Sequence, residues 1–282
     1  MALIPLEDNF TDIVGKAQRG LNLSGSALAA RAGVSLAEVN ALKGGAVDEA
    51  VLRKVAVALN LGAETLAAMA RGAWRPREAG TVAGLACFNT PFNDMTVNAY
   101  VAFDPGTRRA AAFDTGADCD GMLEFMRAEG LVVELILLTH THTDHVFDLD
   151  RLVAATGATA YVSGREPLAG AEAFADGKTF AVGELKIETR RTSGHARSGA
   201  TFVVTGLTRR LAVVGDALFA GSMGGGLVDY DEALRTNREG IFTLDDETIL
   251  CPGHGPLSTV GEEKLHNAFF PEFQQQQGAQ QQ

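Results

Sequence analysis

The run Thr139-His140-Thr141-His142-Thr143-Asp144-His145 constrains this chain more than any other stretch. It follows Leu131-Val132-Val133-Glu134-Leu135-Ile136-Leu137-Leu138, an apolar block of strand length that reads as a buried strand. Three imidazoles and a carboxylate are therefore presented where a strand gives way to a loop, where a rigid sheet can hold reactive groups in place. His140 and His142 are two apart, so on an extended backbone they point to the same side and can grip one ion together. Asp144 and His145 follow as the chain turns into a helix, within reach of a second ion. Neutral imidazole nitrogen and carboxylate oxygen suit Zn, Fe and Mn. Half of the chain's six histidines fall in this one run, which a merely polar loop would not require.

The later candidates repeat the pattern of a reactive residue at a strand end. Ser193-Gly194-His195 follows a strand ending near Thr192, Gly215-Asp216 ends the apolar run Leu211-Ala212-Val213-Val214, and Pro252-Gly253-His254-Gly255 follows Ile249-Leu250-Cys251. Each alone is an ordinary loop residue. In order they make H-x-H-x-D-H, then His, Asp and His, and they absorb five of the six histidines. His266 lies in an expected helix after the last of them and reads as structural.

Composition narrows the class. With 282 residues, 46% hydrophobic content and 32 glycines, the chain has room for one large α/β domain and a small one. A net charge of −11 argues against nucleic acid as the main partner of the whole chain. Cys87, Cys119 and Cys251 are odd in number, far apart and outside any C-x-x-C pair, so no disulfide framework is expected. No run of 18 apolar residues predicts a membrane span, and the N-terminus lacks the apolar core of a signal peptide. A cytoplasmic location is the expectation.

Residues 8–72 read as five short helices. Phe10, Ile13, Val14, Ala17 and Leu21 recur at helical spacing, Gly33 ends the second helix, and Ser35-Leu36-Ala37-Glu38 forms a capping box for the third. Gly44-Gly45 ends that helix, and Val51, Leu52, Val55, Ala56 and Leu59 mark the fourth. This stretch resembles the helix-turn-helix domain of phage-repressor-type regulators, which implies DNA as a partner. The residues point elsewhere. Positions 1–75 carry eight basic and seven acidic side chains, with no basic stripe. The recognition-like helix offers Ser35, Glu38, Asn40 and Lys43, with no Arg or Gln to read base edges. Packing or homodimerisation is the competing use.

Arg71 to Arg77 reads as a linker, with Trp74 packing at the junction. Beyond it the pattern changes to short strands, expected at 81–88, 96–104, 109–113, 158–162, 185–189, 200–205, 210–214 and 248–251. Asn89-Thr90-Pro91-Phe92-Asn93 is expected as a loop, and helices are expected at 119–128, 148–156, 231–244 and 262–270. The expected organisation is an all-helical domain at 1–75, a strand-rich domain carrying the histidine motifs at 76–272 and a disordered Gln-rich tail at 273–282.

The segment from about 78 to 272 resembles the metallo-β-lactamase superfamily through the histidine motifs quoted above. Gly215-Asp216-Ala217-Leu218-Phe219-Ala220-Gly221-Ser222 and Pro252-Gly253-His254-Gly255-Pro256-Leu257-Ser258-Thr259-Val260-Gly261-Glu262-Glu263 resemble short glyoxalase II-type hydrolases. The resemblance implies an α+β fold, the four-layer αββα sandwich, with its site at one edge of two sheets. It implies two divalent ions, zinc foremost, with iron and manganese suited to the same ligands. His140, His142 and His195 would hold one ion, Asp144, His145 and His254 the other, and Asp216 would lie between them. Such a pair supplies hydroxide near neutral pH for attack on a thioester or ester carbonyl of a small molecule. Asp144 is then placed to orient the attacking water and to carry its proton to the leaving group.

The chain departs from the glyoxalase pattern at Gly221-Ser222-Met223-Gly224-Gly225-Gly226, where an arginine is expected, and the separate C-terminal helical domain of the long glyoxalase II enzymes is not expected here. Met223, Tyr230 and Phe219 are candidates for a more apolar pocket. Relatives that use a subset of these ligands make a mononuclear iron persulfide dioxygenase the alternative enzyme. A ligand-sensing DNA-binding regulator is the alternative from another class. Sixteen basic against 28 acidic residues at 76–282 argue against a nuclease.

Overall fold

The computed structural model describes residues 4–274. The N-terminal helices are α1 (Phe10–Gly20), α2 (Gly25–Ala32), α3 (Leu36–Lys43), α4 (Glu49–Ala58) and α5 (Ala63–Ala70). Their ends are written in the sequence. Asn9, Ser24, Ser35 and Asp48 each accept a backbone N–H at a helix start, and Gly33 takes the left-handed conformation that stops α2.

Two six-stranded sheets follow, each with its strands adjacent in chain order. The first contains β1 (Leu85–Phe92), β2 (Met95–Phe103), β3 (Arg109–Phe113), β4 (Val132–Leu137), β5 (Thr159–Ser163) and β6 (Glu172–Phe174). The second contains β7 (Thr179–Val182), β8 (Leu185–Arg191), β9 (Ala200–Thr205), β10 (Leu211–Gly215), β11 (Ile249–Pro252) and β12 (Ser258–Thr259). Both sheets are mixed. The parallel pairs β3–β4 and β10–β11 are joined by crossovers containing α6 (Asp120–Ala128) and α9 (Tyr230–Gly240). The helices α7 (Thr143–Val146) and α8 (Leu149–Thr156) lie between β4 and β5, and α10 (Val260–His266) follows β12.

Alternation along the strands stacks the layers. On β2 and β3, Tyr100, Ala102, Ala111 and Phe113 face a cluster shared with Phe202, Val204, Leu211 and Val213 of the other sheet. Their neighbours Ala99, Val101, Ala110 and Ala112 face Met122 and Met126 of α6 and Leu152 of α8. On the second sheet, Val203, Ala212 and Val214 face outward into a third cluster. One core thus lies between the sheets and one on the outer face of each.

That third cluster joins the two ends of the chain. Phe10, Ile13, Val14 and Leu66 share it with Leu218, Phe269 and Phe270, so the N-terminal helices pack directly on the sheet domain. Trp74 stacks on His266 with ring centroids 4.8 Å apart. Three of the four polar groups that α3 offers are engaged at home. Ser35 and Glu38 cap the helix, and Lys43 donates to Gln18 at 2.8 Å.

Several expectations are corrected. Residues 89–92 are strand rather than loop, and the chain turns only at Asn93-Asp94, with Asn93 at φ 53°. Pro91 suggests a loop from sequence, but β1 is an edge strand, where a missing N–H is tolerated. β6, β7 and β12 are too short to show a periodicity. Met223 and Tyr230 are buried in the third cluster, at 1% and 8% exposure, and Phe219, 4% exposed, packs beside the His254 ring, so none of the three is open to solvent. Of the expected C-terminal tail, Phe273 and Gln274 belong to a helical turn, Phe273 stacking on Phe242; residues 275–282 lie outside the described residues.

Candidate metal centre

All seven ligand-type residues converge at one end of the two sheets. His140 and His142 leave β4, and Asp144 and His145 open α7. His195 follows β8, Asp216 follows β10 and His254 follows β11. Donor atoms of His140, His142, His195 and Asp216 all lie within 4.8 Å of one another, as do those of Asp144, His145 and His254. The two carboxylate oxygens of Asp216 link the groups. Oδ2 is 3.4 Å from His195 Nε2 and 3.4 Å from His254 Nε2, and Oδ1 is 3.2 Å from His145 Nε2. Asp144 Oδ2 lies 3.2 Å from His254 Nε2. His266 stays outside, against Trp74.

Glycines make the convergence sterically feasible. Gly215 sits at φ +51° against Thr139, and a Cβ there would stand 2.4 Å from the Thr139 hydroxyl. A Cβ on Gly253 would stand 2.1 Å from Asp216 Oδ1. The loop of His254 is tied to the first sheet by the Tyr100 hydroxyl, which donates to the Pro252 carbonyl at 2.7 Å. Asn98 Nδ2 adds bonds to the Pro252 and Gly255 carbonyls at 3.0 and 2.8 Å.

The outer nitrogens decide what the inner ones can do. His195 Nδ1 donates to the Gly224 carbonyl at 2.8 Å and His254 Nδ1 to the Thr96 carbonyl at 2.7 Å. His145 Nδ1 donates to Asp114 at 2.8 Å, and His140 Nδ1 lies 3.1 Å from the Thr139 hydroxyl, itself a donor to Asp114. The outer partners take the Nδ1 proton, so each Nε2 faces in and offers a lone pair once the ring is neutral, the arrangement that carboxylates and carbonyls impose on metal-bound histidine. His142 turns Nδ1 inward, 3.1 Å from both His140 Nε2 and His195 Nε2. Three inward lone pairs cannot satisfy one another. Ligands of a tetrahedral ion at about 2.1 Å would stand roughly 3.4 Å apart, close to this spacing. His145 Nε2 and Asp216 Oδ1 are buried with no hydrogen-bond partner. The residues present therefore fit divalent metal.

The electrostatics agree. Burial pushes His140 well below the usual histidine range, and neighbouring His145 adds to that. Burial would raise Asp216, but the attraction of His145 and His254 prevails and holds it well below the usual carboxylate range. Burial would depress His145 and His254, yet Asp216 together with Asp114 lifts the first to about 10, and Asp216 together with Asp144 and the Thr96 carbonyl lifts the second to about 11. Asp144, which burial would raise, stays below its ordinary value through its hydrogen bond with His254 and the pull of His145. Buried Asp216 with half-buried Asp144 thus demands positive charge in the centre, from protons or metal, and binding metal would release those protons.

Asp114 was not among the residues singled out from sequence. It accepts from the Thr139 backbone N–H and hydroxyl, both at 2.7 Å, as well as from His145. Phe113-Asp114-Thr115-Gly116 ends a strand much as Gly215-Asp216 does, and that likeness was the available signal. Asn98 and Tyr100 gave none, because they lie inside a strand. A cleft of about 590 Å³ bounded by Leu123, Met126, Arg127 and Arg151 lies at α6 and α8 and contains none of the seven residues.

Among the described residues no helix is long and apolar enough to cross a membrane. The chain is 28% identical over 212 residues to an uncharacterized protein of Mycobacterium leprae, a match covering 64% of this chain and 96% of that one. It is 27% identical over 210 residues to a probable metallo-hydrolase of Bacillus subtilis, covering 65% of this chain and 96% of the relative. The crystal structure of BLEG-1, a B3 metallo-beta-lactamase, superposes with a TM-score of 0.56 at 25% identity, over 66% of this chain and 99% of that one. The family model for the metallo-beta-lactamase superfamily matches residues 93–254, the stretch that carries all seven converging side chains, and the chain belongs to that superfamily.

Proposed function

We propose that the protein is a dinuclear metal-dependent hydrolase of a small thioester or ester, of the glyoxalase II-like kind. The observation that carries this reading is the set of five imidazoles whose lone pairs face inward around two carboxylates. His140, His142 and His195 would hold one ion, His145, His254 and Asp144 a second, and Asp216 would contribute an oxygen to each. Bound there, the ions would supply a water acidic enough to lose its proton near pH 7 and would polarise the scissile carbonyl. The chain's own residues do the rest. Asp144 is the more exposed acid, at 13% of its side chain against 9% for Asp216, and it remains ionised. It accepts the proton of the attacking water and returns it to the leaving thiol or alcohol. Asp114 and the carbonyls of Gly224 and Thr96 keep the imidazoles in the tautomer that binds metal. No serine or cysteine nucleophile is needed: the Ser193 hydroxyl is committed to Glu232 and that of Ser222 to Asp8, while Cys251 is buried.

The test is elemental analysis of the purified chain beside a panel of thioester, ester, lactone and persulfide substrates. Two divalent ions per chain, with thioester or ester cleavage lost on chelation and restored by metal, is the expected result. One iron per chain with oxygen uptake on a persulfide would replace this reading, and full turnover after exhaustive chelation would end it.

A further inference from the structure

We infer that the N-terminal helical module is a working part of the metal centre, with Asp8 and Lys16 as positioning residues for His195. The inference rests on the metallohydrolase reading above. Asp8 precedes α1 and is 7% exposed, and Lys16 lies one and a half turns into that helix with its side chain 16% exposed. Their charges pair at 2.5 Å, and neither is spent on the pair alone. Lys16 Nζ also donates to the Met223 carbonyl at 2.9 Å, and the Ser222 hydroxyl donates to Asp8 at 2.5 Å. Two consecutive residues of the segment 221–226, Ser222 and Met223, are thus pinned from the N-terminal module, more than 200 positions away in sequence.

The next residue on that loop is Gly224, whose carbonyl accepts from His195 Nδ1. Its own N–H donates to the Asp216 carbonyl at 3.0 Å. The loop has little slack: a Cβ on Gly224 would stand 2.2 Å from the Asp216 carbonyl oxygen and 2.7 Å from His195 Nδ1. A path of direct bonds therefore runs from Lys16 and Asp8 through residues 222–224 to the ring of His195. The same module reaches a second ligand loop. The Glu7 backbone nitrogen lies 3.2 Å from where a Cβ on Gly255 would be, one residue beyond His254. Lys16 Nζ stands 5.0 Å over the Phe219 ring, whose centroid is 5.6 Å from that of His254.

A buried ion pair is a poor device for stability alone, because desolvation offsets much of its attraction. Here both charges anchor backbone and hydroxyl groups of one loop, and what that loop carries is the acceptor that fixes a ligand's tautomer. Groups in that position control metal affinity and the ligand field more than they control folding.

The test uses the full chain with Lys16→Met and Asp8→Asn combined. Neither charge is then left buried alone, and Asn still accepts from Ser222. Zinc affinity is read by competition with a chromophoric chelator, and geometry by the visible spectrum of the cobalt-substituted protein. With far-UV circular dichroism unchanged, zinc affinity should weaken roughly tenfold. The cobalt bands should shift, and kcat should fall while KM holds. Lys16→Arg, which keeps the charge and its donors, should recover most of the affinity. Arg53→Met, which breaks only the exposed pairs to Glu49 and Glu64, should leave every readout in place. A folded double variant with wild-type affinity and cobalt spectrum overturns the inference. If the double variant does not fold, Ser222→Ala carries the same spectral test, and an unshifted spectrum there overturns it equally. A wild-type chain that takes up no metal would instead strike down the metallohydrolase reading itself.

Discussion

Replacing Glu263 by glutamine should remove a pH dependence from the protein's stability. Glu263 lies in α10, fully buried, with one carboxylate oxygen accepting from the Gly221 N–H at 3.0 Å and Asn267 Nδ2 at 2.8 Å. The other oxygen is buried without a partner. Burial raises its pKa from 4.5 to about 7, with Asn267, Ser258 and Gly221 offsetting only part of the effect. Between those values the folded chain keeps a proton that the unfolded chain has lost. The folded state binds more protons, so stability falls as pH rises from 4.5 through 7 and levels off above. At about 1.4 kcal/mol per unit the loss is about 3 kcal/mol. For a chain of this size that is roughly 6–12 °C in melting temperature. Glutamine at 263 can keep an acceptor toward both donors and does not titrate. The assay is thermal or urea unfolding of wild type and Glu263→Gln across pH 4 to 8.5. The quantity to follow is the difference between them, which removes every group common to both. That difference should move in favour of the variant through the interval 4.5–7 and be flat on either side. A difference that is constant across the range, or that moves toward the wild type with rising pH, refutes the reasoning.

Asp114→Ala should weaken metal affinity roughly 10–100-fold, because His145 Nδ1 and both Thr139 donors lose their acceptor together; unchanged affinity in a chelator competition would remove Asp114 from the site. Gly253→Ala should abolish full metal loading while leaving the fold intact, since its methyl would stand 2.1 Å from Asp216 Oδ1 and 2.5 Å from His145 Cε1; normal metal content by elemental analysis would contradict the geometry. Chelation should lower the melting temperature, because an ion bound only by the folded chain adds about 2.7 kcal/mol at a hundredfold excess over Kd. No shift between loaded and stripped protein would mean that the centre does not hold metal.

Much of the site was legible because metal chemistry writes local patterns. His140, His142, Asp144 and His145 must lie within six positions to share one strand end, and that spacing is visible without any structure. His195, Asp216 and His254 could be read only as strand-end residues awaiting company. Asp114, equivalent in placement, had no histidine beside it to mark it. The helix ends of the N-terminal module were equally legible, since a cap is made by the residue next to the helix it caps. The edge strand with Pro91 was not, because tolerance for proline depends on which strand lies outermost.

By itself, then, the sequence determined the local chemistry: which side chains can bind metal, where the N-terminal helices are capped, and that one stretch is helical and the other strand-rich. Tertiary structure alone decided what those pieces are to one another. That Asp216 faces both clusters, that His195 Nε2 meets His142 Nδ1 at 3.1 Å, and that Lys16 reaches across to the loop behind His195 are relations between residues tens to hundreds of positions apart. Local propensity is set by neighbours along the chain. A metal centre is set by neighbours in space, and these exist only once the three cores have closed.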